Sequence, residues 1–328
     1  MGRMRCVGVD VSADEITVAI EGRAEPLALA NDAEGHERLI CWLRRRGRPA
    51  RVCLEATGIY HLDLALALHR ARGIEVMVVN PTAARDFGRA LLLRSKTDRV
   101  DARVLLEFAQ RMPFEPWQPP AQEILDLRAI VRRIGALTLS RTQERNRLHA
   151  AGRSAELTGA IAWDIEAHLE HLAQSLERLQ QQALELVQAH PELARRFERL
   201  VSVRGIATTS ALRILAELAV LPPDMTPRQW VAHAGLDPRA LDSGTSLHKP
   251  ARISKKGNRH LRASLYMPAL VAVREEPHVR GFYQKRLAGG LKPIQALVAV
   301  ERKLLHAIHG MWSSNEDFDG QKFCALNA

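Results

Sequence analysis

Cysteine is scarce in this 328-residue chain, and its four copies, Cys6, Cys41, Cys53 and Cys324, are scattered with no C-x-x-C pair among them. That spacing excludes a Cys-based zinc site and a disulfide framework, and it suits a reducing compartment. A secretory h-region is lacking at the N-terminus, and no apolar run is long enough to span a bilayer, so the expectation is a cytoplasmic protein with no membrane partner. Acidic residues are outnumbered, 37 Asp and Glu against 47 Lys and Arg, for a formal net charge of +10. A basic balance of this size points to a polyanionic partner. The chain exceeds one average domain and, at 46% hydrophobic residues, can fill two or three cores.

The first third alternates short apolar runs with helical patterns. Strands are expected at Arg5–Val9, Ile16–Ile20, Pro26–Leu29, Arg51–Leu54 and Glu75–Val79, and helices at Glu34–Arg46, Leu62–Arg72, Thr82–Leu92 and Asp98–Arg111. Three strands followed by alternating helix and strand predict a mixed sheet with helices on its faces. Four prolines between Met112 and Pro120 read as a linker, since neither a helix nor a central strand tolerates them.

The acids that remain are placed in a telling way. Asp10 follows one strand-like run, Glu55 closes another, and Asp98 and Asp101 open a helix three residues apart, on one side of it. Carboxylates at two strand ends and one helix start can converge on a point. Held close they repel unless cations neutralise them, and hard oxygen donors favour magnesium or manganese. A phosphodiester-processing site is the expectation.

Beyond the linker the strand signal fades. Gln122–Arg153 reads as one long helix bearing Arg128, Arg132, Arg133, Arg141, Arg145, Arg147 and Arg153. In the next stretch Ile165, Leu169, Leu172, Leu176, Leu179, Ala183 and Leu186 repeat with alternating four- and three-residue steps. That seam serves either packing within its own domain or a paired coiled coil. Leu200–Leu212 has the pattern of a helix-hairpin-helix, whose turn at Gly205 would offer backbone N–H groups to a phosphate. Between Arg239 and Arg262 seven cations (Arg239, Lys249, Arg252, Lys255, Lys256, Arg259, Arg262) face one acid, Asp242, on what reads as an irregular loop. Phosphate contacts from such a loop would displace counterions. The loop also holds Ser243, beside Gly244, Thr245 and Ser246. On the residues alone, Ser243 is as well explained by a hydrogen bond within the loop as by chemistry.

Several phrases match a known pattern: Gly8-Val9-Asp10-Val11-Ser12, Leu54-Glu55-Ala56-Thr57-Gly58, Val79-Asn80-Pro81, Lys96-Thr97-Asp98-Arg99-Val100-Asp101-Ala102-Arg103, Ser243-Gly244-Thr245-Ser246 and Leu265-Tyr266-Met267-Pro268-Ala269. In this order they resemble the DEDD transposases of the insertion-sequence "one-ten" family, from the first strand to about Leu305. The resemblance implies an α/β, RNase H-like (RuvC-like) domain at 1–118, a basic helix and coiled-coil linker at 119–195, and a mostly helical transposase domain at 196–328. It implies that Asp10, Glu55, Asp98 and Asp101 form a metal-binding tetrad for Mg2+ or Mn2+, and that Ser243 is a catalytic nucleophile. Further implications are an element-encoded guide (bridge) RNA, target and donor double-stranded DNA as substrates, and assembly as dimers and tetramers in the bacterial cytoplasm, at the nucleoid.

Both parts of such a site have a chemical rationale. Cutting and rejoining DNA without ATP would store the bond energy in a phosphoserine ester, formed by Ser243 and later reversed by the free 3′-hydroxyl. Metal ions held by the tetrad would stabilise attacking and leaving oxygens, and the loop cations would offset developing charge. Arg128, Arg132, Arg133, Arg141 and Arg145 of the long helix, with Gly205, Lys249, Arg252, Lys255, Lys256 and Arg259, are the expected nucleic-acid contacts; backbone contacts of this kind position without reading bases. Two other classes compete. A RuvC-like junction resolvase or nuclease would use water and leave Ser243 structural. An actin-like ATPase shares the opening strand–Asp–strand pattern but also needs a second phosphate-binding turn late in the chain, and it is the remotest of the three readings.

Overall fold

A computed structural model of the chain describes residues 4–45, 49–56, 58–92, 97–153, 159–243 and 247–325, with the backbone alone for 240–243 and 247–251. It divides into two compact units, Met1–Pro119 and Pro120–Ala328.

In the first unit the strands are β1 (Arg5–Val11), β2 (Glu15–Ile20), β3 (Leu27–Ala30), β4 (Ala50–Glu55) and β5 (Ile74–Val79). The helices are α1 (Ala33–Arg44), α2 (Leu62–Arg70), α3 (Pro81–Ala90) and α4 (Asp98–Arg111). The sheet runs β3-β2-β1-β4-β5, with β2 and β3 antiparallel to their neighbours and β4 and β5 parallel to β1. This mixed order with helices on both faces is RNase H-like. Period-2 alternation sends Val7, Val9 and Val11 of β1 and Val52 and Leu54 of β4 to one face, against Leu39 and Leu43 of α1 and Leu64 and Leu68 of α2. The other face carries Cys53, Met77 and Val79 against Ala84 of α3 and Leu105 and Ala109 of α4.

Gly8 makes that second layer possible. A Cβ built there would lie 2.2 Å from the Ala102 carbonyl oxygen and 2.2 Å from the Leu106 nitrogen, so α4 rests directly on the β1 backbone. Two residues earlier, Cys6 Sγ donates toward the Ala109 carbonyl at 3.8 Å. The chain of β1 and that of α4 therefore run in opposite directions across the contact.

The second unit contains α5 (Gln122–Ala151), α6 (Gly159–Ala189), α7 (Pro191–Val201), α8 (Thr208–Leu218), α9 (Pro227–His233), β6 (Pro238–Ser243), β7 (Leu247–Ile253), α10 (Arg259–Glu275), α11 (Pro277–Ala288) and α12 (Pro293–Ser314). Leu200, Leu212, Leu215, Leu261, Leu265, Leu304 and Ile308 are central to its core. The heptad seam of α6 closes within the chain: Leu172 and Leu176 pack on Ile134 and Leu137 of α5, with Ile130 and Leu179 at the edge. Among the described residues, no helix is long and apolar enough to cross a membrane.

One expectation is corrected here. The segment after Arg239 is no irregular loop; β6 and β7 pair antiparallel, with Arg239 opposite Arg252 and Ser243 opposite Leu247. Gly244, Thr245 and Ser246, which complete the serine phrase, lie outside the described residues, as do Thr57 and Lys96 of the other phrases.

Candidate active site

The geometry of the acids follows from two local facts. The parallel register of β1 with β4 ends on the pair Val9 and Leu54, so Asp10 and Glu55 are the next residues of two neighbouring strands. Asp10 shares the face of Gly8 and Cys6, and Glu55 that of Cys53, which is the face covered by α4. Moving along β1 from Cys6 through Gly8 to Asp10 means moving back along α4 from Ala109 through Ala102 toward its first turn. That turn holds Asp98 and Asp101. It starts where it does because Thr97 caps it, its Oγ1 accepting from the Val100 N–H at 3.3 Å. Acids in a first helical turn also meet the positive end of the helix dipole.

The field at Asp10 records this gathering. Its carboxyl is raised from 3.8 to about 6, chiefly by burial and then by the charges of Asp101, Asp98 and Glu55. Only the N–H of Val11 acts in the other direction. Among the described residues, no three His, Cys, Asp or Glu side chains are already drawn into a metal-ligating cluster. What the site offers is an all-oxygen donor set, half-buried at Asp10 and Glu55, with excess negative charge. Hard divalent cations fit such a set; zinc and copper, which favour nitrogen and sulfur, do not.

The loops after the two strands are tied together just outside the acids. Asn31 Nδ2 donates to the Ser12 carbonyl at 2.7 Å and to the Tyr60 carbonyl at 3.2 Å. Asn31 is itself held by the His36 ring, whose Nε2 lies 2.8 Å from its Oδ1. Asn80 caps α3 by accepting from the Thr82 N–H at 2.8 Å, and Pro81 fits the first helical position. The Asn-Pro phrase thus has a structural role.

In the second unit the basic residues separate into two groups. Arg128 and Arg132 turn inward onto Glu217 of α8, which is 2% exposed. Arg132 donates from Nε at 2.9 Å and from Nη2 at 3.2 Å, and Arg128 approaches through Nη2 at 3.1 Å. Asn258 adds a third donor, Nδ2 to Glu217 at 2.7 Å, while its Oδ1 caps α10. Burial pushes the Glu217 carboxyl up, but these donors and charges outweigh it and hold the group at about 2. Arg128 and Arg132, expected to contact nucleic acid, are engaged with Glu217 inside the unit in this structure. Gly205 is likewise explained by packing. Its φ is +109°, and a Cβ there would lie 2.6 Å from the Ala272 nitrogen of α10. Neither Glu217 nor Asn258 was singled out in the sequence; a buried acid within the apolar run Leu212–Leu218 was the available signal.

The remaining cations stay outside. Arg133, Arg145, Arg252, Lys255, Lys256 and Arg259 are exposed, and Arg141 is half-buried. Ser243 ends β6 and Lys249 lies in β7, but their side chains fall outside what the structure describes.

Comparison with known proteins agrees with this architecture. Residues 7–151 match a family model described as a transposase (DEDD_Tnp_IS110), and residues 197–284 match one described as the transposase IS116/IS110/IS902 family. The chain is 25% identical to the pilin gene-inverting protein of Moraxella bovis over 322 residues, covering 95% of this chain and 97% of that protein. The Moraxella lacunata protein of the same name shows the same identity and coverage. The transposase for insertion sequence element IS1328 of Yersinia enterocolitica is 25% identical over 244 residues, 68% of this chain and 71% of that one.

Proposed function

This chain belongs to the IS116/IS110/IS902 family of transposases, and on that premise we propose that Asp10, Glu55, Asp98 and Asp101 form the magnesium- or manganese-dependent site at which it cleaves DNA strands for transfer. One observation carries the reading: Asp10 lies within the field of three acids brought from another strand and a helix, and burial together with their charges raises it to about 6. Carboxylates this close repel one another, and a divalent cation would offset that repulsion. The bound ions would supply Lewis-acid stabilisation of the attacking and leaving oxygens of the phosphodiester. The protein's own part is positional. β1 and β4 carry Asp10 and Glu55 just past the last residues they pair with each other, and Thr97 fixes the turn bearing Asp98 and Asp101.

In the reading nearest to these residues, water is the nucleophile, as in a RuvC-like nuclease, and a 3′-hydroxyl end is released for joining. A second reading makes Ser243 the nucleophile, conserving the bond energy in a phosphoserine ester. It is favoured by the pilin gene-inverting relatives, because an inversion must reseal every strand it opens. The same resemblance brings an element-encoded guide RNA, target and donor duplexes, and a dimer or tetramer into the proposal. The exposed cations Arg133, Arg145, Arg252, Lys255, Lys256 and Arg259 suit phosphate backbones.

Strand cleavage by Asp101→Asn and Ser243→Ala proteins, assayed with magnesium on the DNA ends of the element that encodes the chain, tests both readings. Asp101→Asn should lose cleavage while retaining DNA binding; unchanged cleavage would remove the carboxylate site. If Ser243→Ala cuts normally, water is the nucleophile. Loss of cutting, together with loss of a covalent protein–DNA adduct that the wild-type chain forms, assigns the attack to the serine.

A further inference from the structure

Two large apolar side chains stand exposed directly behind Glu55. Ile59 is 73% and Tyr60 48% exposed, and among the described residues neither belongs to the unit's apolar clusters. The backbone under this pair is held by hydrogen bonds. The Tyr60 carbonyl is one of the two acceptors of Asn31 Nδ2, the other being Ser12 of the loop after β1. The Ile59 carbonyl accepts from the Leu62 N–H at 3.1 Å, locking the turn into the start of α2. The backbone is thus fixed to the loops that follow both acid-bearing strands, while the side chains are left to solvent. Exposing apolar surface costs free energy, and doing so on a fixed support beside a polar site is the arrangement of a preformed contact.

We propose that Ile59 and Tyr60 form a base-contacting rim, on which nucleotides flanking the cleaved phosphate unstack and lie against the protein. The proposal rests on the carboxylate site as the place where the phosphodiester binds. The acids, with the cations they would hold, would engage the phosphate and leave the neighbouring base faces without a partner. An aromatic ring and a branched aliphatic chain have the surfaces that stack on, or wedge beside, an unstacked base whatever its identity. The rim therefore selects DNA that is already open or readily opened at the cut, and it does so without reading sequence.

The test is binding of the full-length chain to a forked DNA of mixed sequence with unpaired arms, in calcium to suppress cleavage. Abasic substitutions are placed one at a time through the arm next to the fork. Replacing both side chains (Ile59→Ala with Tyr60→Ala) should weaken binding on the order of tenfold, the scale of one lost base stack. Tyr60→Phe should retain most of the affinity, and the salt dependence should be unchanged because no phosphate contact is lost. One or two abasic positions should weaken the wild-type chain by a similar factor and add nothing to the double variant. Asp10→Asn separates this proposal from the one beneath it, since it should abolish cleavage and keep the abasic pattern. Equal affinity of the wild-type and double-variant chains for the fork would overturn the rim. So would an abasic penalty of full size in the double variant.

Discussion

The two units handle buried acid in opposite ways. In the second, Glu217 is almost fully enclosed, yet two arginines and an amide hold its carboxyl at about 2. In the first, Asp10 is less buried, and burial together with the charges of Asp101, Asp98 and Glu55 raises it to about 6 against the single N–H of Val11. Both charges are costly to desolvate. One has its compensation inside the chain, so it is architecture. The other gathers like charges, the arrangement that the proposed cation would offset and that a structural ion network does not need.

Breaking the first unit's side of this contrast should give the largest effect. Removing any one of the four carboxylates as the isosteric amide should lower metal-dependent cleavage by at least about 100-fold, a factor that even the outer partners of a metal can reach. Cleavage rate against magnesium concentration is the measurement, with nucleic-acid affinity as the control.

Next in size, Glu217→Ala should destabilise the chain by about 3–5 kcal/mol, because Arg128 and Arg132 would be left facing a buried void. Urea unfolding followed by circular dichroism reads this. The linkage has a definite sign. A carboxyl lowered from 4.5 to about 2 contributes stability above pH 4.5 and loses it as the pH falls toward 2. The wild-type and Ala curves should therefore converge only in strong acid.

The smallest effect runs the other way and sharpens the contrast. Asp10→Asn should raise the stability of the metal-free chain at pH 7.5 by about 1–2 kcal/mol, after discounting the pKa rise for partial solvent screening. A carboxyl raised from 3.8 to about 6 favours the folded state below pH 3.8, and that advantage is lost as the pH climbs through 6. The gain from Asn should thus fade in acid. Added magnesium should raise the melting temperature of the wild-type chain and leave that of Asp10→Asn nearly unmoved.

Which residues could be read in advance follows from how far each interaction reaches. Asp10 and Glu55 were visible because each ends an apolar run, and Asp98 and Asp101 because helical spacing puts them in one turn. The α6 seam was visible as a repeat, though not its partner, which is α5 of the same chain. The β6–β7 hairpin was missed because Pro238, Pro250, Gly244 and a dense charge run carry the composition of a loop. The inward turn of Arg128 and Arg132 was missed for a different reason. Their partner lies 89 and 85 residues away, and on a solvated helix face arginine looks the same whether it will meet a phosphate or a carboxylate.

Local pattern was enough to specify the strands and helices of the first unit, the character of the acid cluster and the basic balance of the whole, because alternation, capping and composition act over a few residues. Tertiary packing alone decided which cations face outward, why Gly8 and Gly205 must be glycine, and how four acids come to share one field. Each of these depends on distances between segments far apart in the chain. Such distances are set by the closing of a core, and no stretch of sequence contains them.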